Sequence, residues 1–218
     1  MDLAQRIARF EAADLYVVIT EQFCAGRPSL EVLDAVLDAG VTLVQFREKD
    51  LDDRTRFQRA IQFRERTHDA GALLIVDDRV DIALAVDADG AHLGEFDLPI
   101  DAARRIAPDL IVGASSHNLD EALAAQQAGA GYVNIGPIFS TQTKSVPTGT
   151  VGPEMIDEIV PHLTIPWTTM GGIKPHNIGQ VLQRGAKRIA VVTAVTEAED
   201  VRAAAAELRE AILSGVHP

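Results

Sequence analysis

Eight short apolar runs alternate with longer amphipathic stretches along this chain, and no Pro-, Gly- or Ser-rich linker interrupts the series. The runs occupy residues 15–20, 43–47, 73–76, 92–93 with their flanks, 110–114, 132–135, 165–169 and 188–192. Each is rich in Val, Ile or Leu and bounded by Gly, Asp or Pro, the pattern of strands covered on both faces in a parallel sheet. Between the runs, apolar residues recur three and four apart, as on the buried stripe of a helix. Such stretches follow Pro28-Ser29, Asp52-Asp53, Asn118, Pro153 and Pro175, and an Ala-rich one near 200–213 is expected to pack against the first strand. Five strands are preceded by a similar small tag: Asp38-Ala39-Gly40, Asp69-Ala70-Gly71, Ala88-Asp89-Gly90, Ala128-Gly129 and Arg184-Gly185. A glycine just past a helix end supplies the left-handed cap that turns the chain into the next strand.

Eight strand–helix units in 218 residues predict an α/β fold, a (β/α)8 TIM barrel. It forms a single domain over 1–218, with 1–14 an N-terminal helix or extension. The competing architecture is an open doubly wound sheet, but no GxGxxG follows the first run, so the usual dinucleotide signature is missing. The net charge of −12 excludes a general nucleic-acid binder, which needs a basic field to displace counterions, and disfavours anionic membrane surfaces. A single cysteine, Cys24, excludes an internal disulfide framework, and no apolar run is long enough to span a bilayer. A cytoplasmic chain acting on small molecules is the expectation, with a homo-oligomer compatible with it.

Barrel chemistry gathers at the C-terminal ends of the strands. The second run ends Gln45-Phe46-Arg47-Glu48-Lys49, and alternation puts Gln45, Arg47 and Lys49 on one face. Unless that face meets solvent, it is a cationic pair built to hold an anion, with an amide beside it. The third run ends Asp77-Asp78 and the fourth Gly94-Glu95-Phe96-Asp97. Taken singly, Asp78 caps the next helix and Asp97 a turn. Beside Arg47 and Lys49 they suit Mg²⁺ against a diphosphate, because that ion takes one or two carboxylates plus phosphate oxygens. After the fifth run, Ser115-Ser116-His117 place one polar group inward. The long segment 136–149, with Thr141, Gln142, Thr143 and Lys144, suits a lid over a phosphorylated substrate. Gly171-Gly172 and Val192-Thr193, after the last two runs, suit a monophosphate.

With these residues in place, nearly the whole chain resembles the thiamine-phosphate synthase family. The pentapeptide 45–49, the segment Gly136-Pro137-Ile138-Phe139 leading to Thr141, Thr143 and Lys144, and Asp78 with Asp97 carry the likeness. The resemblance implies that 4-amino-2-methyl-5-pyrimidinylmethyl diphosphate is joined to a thiazole ethyl phosphate, or its carboxylated form, with release of diphosphate. It implies that Gln45, Phe46, Arg47, Glu48, Lys49, Asp77, Ser115 and Lys144 bind the pyrimidine diphosphate, with Arg47, Lys49, Ser115 and Lys144 as the catalytic groups. Asp78 and Asp97 would hold Mg²⁺, and Thr141, Gln142, Thr143, Gly172, Val192 and Thr193 would receive the thiazole phosphate. The chain departs from the family at Asp77, where Asn is usual, at Glu95-Phe96, where Gln-Glu is frequent, and at Met170, often Ile. A carboxylate beside a diphosphate is unfavourable unless metal-bound or protonated. The alternatives are a thiazole tautomerase on the same barrel, which generally lacks Gln-x-Arg-x-Lys and the paired aspartates, and a non-catalytic thiamine-phosphate binder.

Overall fold

A computed structural model describes residues 1–143 and 149–215. Eight parallel strands close into one barrel in sequence order: β1 (Leu15–Ile19), β2 (Leu43–Phe46), β3 (Leu73–Asp77), β4 (Gly90–Leu93), β5 (Ile111–Ser116), β6 (Tyr132–Ile135), β7 (Trp167–Met170) and β8 (Ile189–Val191). The (β/α)8 expectation is met, and the open sheet is excluded by the pairing of β1 with β8. The chain opens with α1 (Leu3–Ala12), and its outer layer continues with α2 (Ser29–Asp38), α3 (Asp53–Asp69), α4 (Val80–Ala85) and α5 (Ile100–Ile106). It is completed by α6 (Leu119–Gln127), α7 (Glu154–Ile159), α8 (Gly179–Leu182), α9 (Thr193–Thr196) and α10 (Val201–Ser214). No helix among the described residues is long and apolar enough to cross a membrane.

Strand alternation divides the apolar residues into two cores. Leu15, Val17 and Ile19 of β1, Val44 and Phe46 of β2, and Leu74 and Val76 of β3 face outward and pack with the helices. Tyr16, Leu43, Leu73, Ile75, Ile111 and Tyr132 face inward. Phe10 of α1 joins this inner cluster and stacks on Tyr132 with ring centroids 4.3 Å apart, so α1 plugs the barrel floor. At the same end, Arg209 of α10 pairs with Asp14 at 2.9 Å and donates to the Ala39 carbonyl at 2.7 Å, tying α10 to β1 and α2 as expected.

The repeated tag needs one correction. Gly40, Gly71, Gly129 and Gly185 take positive φ, whereas the turn before β4 is made by Asp87 at φ 52°, and Gly90 lies within the strand. A side chain at Gly90 would meet the Ile111 backbone, so glycine is there for close strand approach. Asp89, fully buried, accepts the Leu74 amide at 2.9 Å and pairs with Arg64 at 2.9 Å.

Candidate active site

At the C-terminal mouth of the barrel lies a cavity of about 540 Å³, within the range of small-molecule sites. Gln45, Arg47, Lys49, Asp77, Asp78, Asp97 and Ser115 all line it, brought together from β2 to β5 and the loops that follow. The charges form one connected group. Asp77 Oδ2 lies 2.9 Å from Lys49 Nζ and 3.4 Å from Arg47 Nε, and Lys49 also pairs with Asp78. Asp78 therefore does not cap α4, whose first turn has no side-chain cap; its backbone sits at φ 59°, an uncommon conformation outside glycine. Asp97 does close a turn, accepting the Gly94 amide at 2.7 Å, and lines the cavity as well.

The electrostatics follow from crowding. Burial, and then the neighbouring Asp78, push the Asp77 carboxyl up against the pull of Lys49 and Arg47. Asp78 is half-buried, which raises it, but Lys49 holds it below its ordinary value. Asp97 moves the other way, raised by burial and by Asp78 although the Gly94 amide opposes it. Two carboxyl groups thus crowd each other, an arrangement that a hard divalent cation can relieve. The described residues hold no cluster of three or more metal-binding side chains, and Asp78 and Asp97 offer a pair of carboxylates. It fits Mg²⁺, which completes its shell with water and phosphate oxygens. Charge points the same way. Among described residues, Arg47 and Lys49 face Asp77, Asp78, Glu95, Asp97 and Glu121 around the cavity.

A smaller recess of about 30 Å³ is lined by Thr141, Thr143, Gly171, Gly172, Lys174, Val192 and Thr193. It shares Thr143, Met170, Ala190 and Val192 with the large cavity, so the two adjoin. Gly172 has φ 62°, and a Cβ there would lie 2.9 Å from Phe139 Cβ, which leaves backbone rather than a side chain at the wall.

Three predicted site residues place their side chains outside both the cavity and the recess. Phe46 points outward and packs on Phe63 at 4.8 Å between ring centroids. Glu48 also turns away from the cavity and accepts the Glu21 amide at 2.8 Å. Both follow from the two-residue alternation that aims Gln45, Arg47 and Lys49 inward. Gln142 is exposed and lines neither recess nor cavity, between Thr141 and Thr143, which do line the recess. Lys144 lies outside the described residues.

Sequence reasoning missed Tyr16, His92 and Asn134 on the cavity wall and Lys174 in the recess; Met170, singled out as a departure from the family, does line the cavity. The three cavity residues had a signal, a polar group inside an otherwise apolar run. Lys174 directly follows the Gly171-Gly172-Ile173 turn, and its Nζ donates to Thr193 Oγ1 at 2.7 Å. Burial lowers its pKa, against the distant pull of Glu197.

A family model described as thiamine monophosphate synthase matches residues 15–195. The thiamine-phosphate synthase of Pelotomaculum thermopropionicum is 42% identical over 201 residues, covering 92% of each chain. That of Chloroflexus aurantiacus is 45% identical over 195 residues, covering 89% of this chain and 90% of the relative. A solved structure, thiamine phosphate pyrophosphorylase from Pyrococcus furiosus, superposes with a TM-score of 0.87 at 40% identity, covering 96% of this chain and 99% of that one.

Proposed function

The chain belongs to the thiamine monophosphate synthase family and is a transferase, and from that premise we propose the reaction in detail. It joins 4-amino-2-methyl-5-pyrimidinylmethyl diphosphate to 4-methyl-5-(2-phosphoethyl)thiazole and yields thiamine phosphate and diphosphate; the carboxylated form of the thiazole would release CO2 in addition. The observation that carries this reading is the adjacency of two unlike anion pockets. One has a cationic pair and paired carboxylates; the other is built from glycine backbone, threonines and Lys174.

In this reading Arg47 and Lys49 leave Asp77 to hold the diphosphate, and they stabilise the charge that builds on it as the C–O bond breaks. Gln45 and Ser115, on opposite walls, orient the pyrimidine ring. Thr141, Thr143, Gly172, Lys174 and the Val192-Thr193 backbone hold the thiazole phosphate, which aims the thiazole nitrogen at the pyrimidinylmethyl carbon. The ring amino group stabilises that carbon, and Val18, Met170 and Ala190 on the wall keep water from it. Mg²⁺ bound by Asp78 and Asp97 would add positive charge against the leaving diphosphate. No protein nucleophile is needed.

The test is a discontinuous assay with both substrates, each substrate alone, and Mg²⁺ present or replaced by EDTA. Equal release of thiamine phosphate and diphosphate is expected only in the complete mixture. No product in the complete mixture overturns the reading, and proton exchange with the thiazole phosphate alone would favour the tautomerase.

A further inference from the structure

Five polar side chains cross the barrel interior in one unbroken series. Gln45 Nε2 donates to the Tyr16 hydroxyl at 2.7 Å, and that hydroxyl lies 3.0 Å from the hydroxyl of Tyr132. The Tyr132 hydroxyl is 2.9 Å from His92 Nδ1, and His92 Nε2 is 3.0 Å from Ser115 Oγ. Gln45, Tyr16, His92 and Ser115 line the cavity; Tyr132 does not and is fully buried.

Counting hydrogens gives the series a direction. A phenol has one hydrogen to donate. Burial raises both phenols far above the usual tyrosine value, so each keeps that hydrogen. Tyr16 accepts from Gln45, and the series runs continuously to Ser115 when the Tyr16 hydrogen goes to Tyr132 and that of Tyr132 to His92 Nδ1. A neutral imidazole receiving a hydrogen bond at Nδ1 carries its proton on Nε2, which donates to Ser115 Oγ. The Ser115 hydrogen then turns out of the series and into the cavity.

We infer that Tyr132 is a positioning residue, which sets His92 as the Nε2–H tautomer and thereby makes Ser115 a hydrogen-bond donor to the ligand. The other end of the series presents Gln45 Oε1 as an acceptor. An aromatic heterocycle that carries ring nitrogens and an amino group satisfies both ends at once; this choice of ligand rests on the proposed reaction, whereas the tautomer does not.

The experiment records ¹⁵N resonances of the histidine rings in ligand-free wild type, Tyr132→Phe and Tyr16→Phe, with His92→Gln to assign the signal. Tyr132→Phe keeps the ring stacked on Phe10 and removes only the hydroxyl. Wild-type His92 is expected as Nε2–H, Tyr16→Phe is expected to keep it so, and Tyr132→Phe is expected to show an Nδ1–H population. Tyr132→Phe should also raise KM for the pyrimidine diphosphate about tenfold, the worth of one hydrogen bond, with KM for the thiazole phosphate within about twofold. An Nδ1–H or doubly protonated His92 in the wild type overturns the inference, even if Tyr132→Phe does not fold. So does a tautomer that is the same in wild type and Tyr132→Phe, or one that shifts equally in Tyr16→Phe. If the proposed reaction is wrong, turnover is absent in every form while the ligand-free tautomers still decide the matter.

Discussion

Replacing Asp77 with Asn removes a negative charge from between Arg47 and Lys49 at almost constant side-chain volume. Asp77 Oδ2 lies 3.4 Å from Arg47 Nε and 2.9 Å from Lys49 Nζ, so an incoming diphosphate must take both cations from it. Once displaced, the carboxylate remains as a like charge beside the ligand. Two unit charges ~6 Å apart interact by about 2–3 kcal/mol at an effective dielectric of ~20. Part of this is relieved because Asp77, buried and next to Asp78, takes up a proton more readily than an ordinary carboxylate. A net effect of about 1–2 kcal/mol remains, equal to a roughly 5- to 30-fold fall in KM for the pyrimidine diphosphate in Asp77→Asn. The assay is initial rate against that substrate at saturating thiazole phosphate and fixed Mg²⁺, with calorimetric binding of inorganic diphosphate alongside. KM for the thiazole phosphate should not move, because the recess does not include Asp77. An unchanged or higher KM for the diphosphate substrate refutes the reasoning, since it would mean that Asp77 organises the cations for the anion instead of competing with it.

Arg47→Ala should lower kcat/KM by roughly 10²–10³ through lost charge stabilisation, with far-UV circular dichroism unchanged; near-normal turnover removes Arg47 from the mechanism. Asp78→Asn should raise the half-saturating Mg²⁺ concentration by more than about tenfold, since losing even a partner behind a metal ligand costs that much. An unchanged Mg²⁺ titration would place the ion elsewhere. Lys174→Gln should raise KM for the thiazole phosphate by about tenfold, as expected for a charged hydrogen bond to phosphate, and leave KM for the diphosphate substrate alone. Phe10→Ala should cost about 3–5 kcal/mol of stability by opening the barrel floor, read as a lower midpoint in urea. A loss under about 1 kcal/mol would show that α1 does not support the inner core.

Much of the fold was legible because a barrel repeats one unit. The alternation of short apolar runs with amphipathic stretches, punctuated by small residues, identified all eight strands, and the structure moved their ends by only a residue or two. The exception among the tags, Gly90, shows the limit of such reading. A glycine that caps a helix and one that lets strands approach look alike in a sequence, and only the position of Ile111 distinguishes them.

Alternation within single strands determined by itself which residues of Gln45-Phe46-Arg47-Glu48-Lys49 face the barrel interior, because successive side chains point to opposite faces whatever the surroundings. Assigning Phe46 and Glu48 to the ligand went against that rule. What only the tertiary structure decided is which groups from different strands meet. Asp77 between Arg47 and Lys49, Asp78 against Asp97, Lys174 beside Thr193, and the series from Gln45 to Ser115 through Tyr16, Tyr132 and His92 all join residues distant in sequence. Closing the barrel sets those distances, and charge and hydrogen-bond direction depend on distances of a few ångströms that no local pattern encodes.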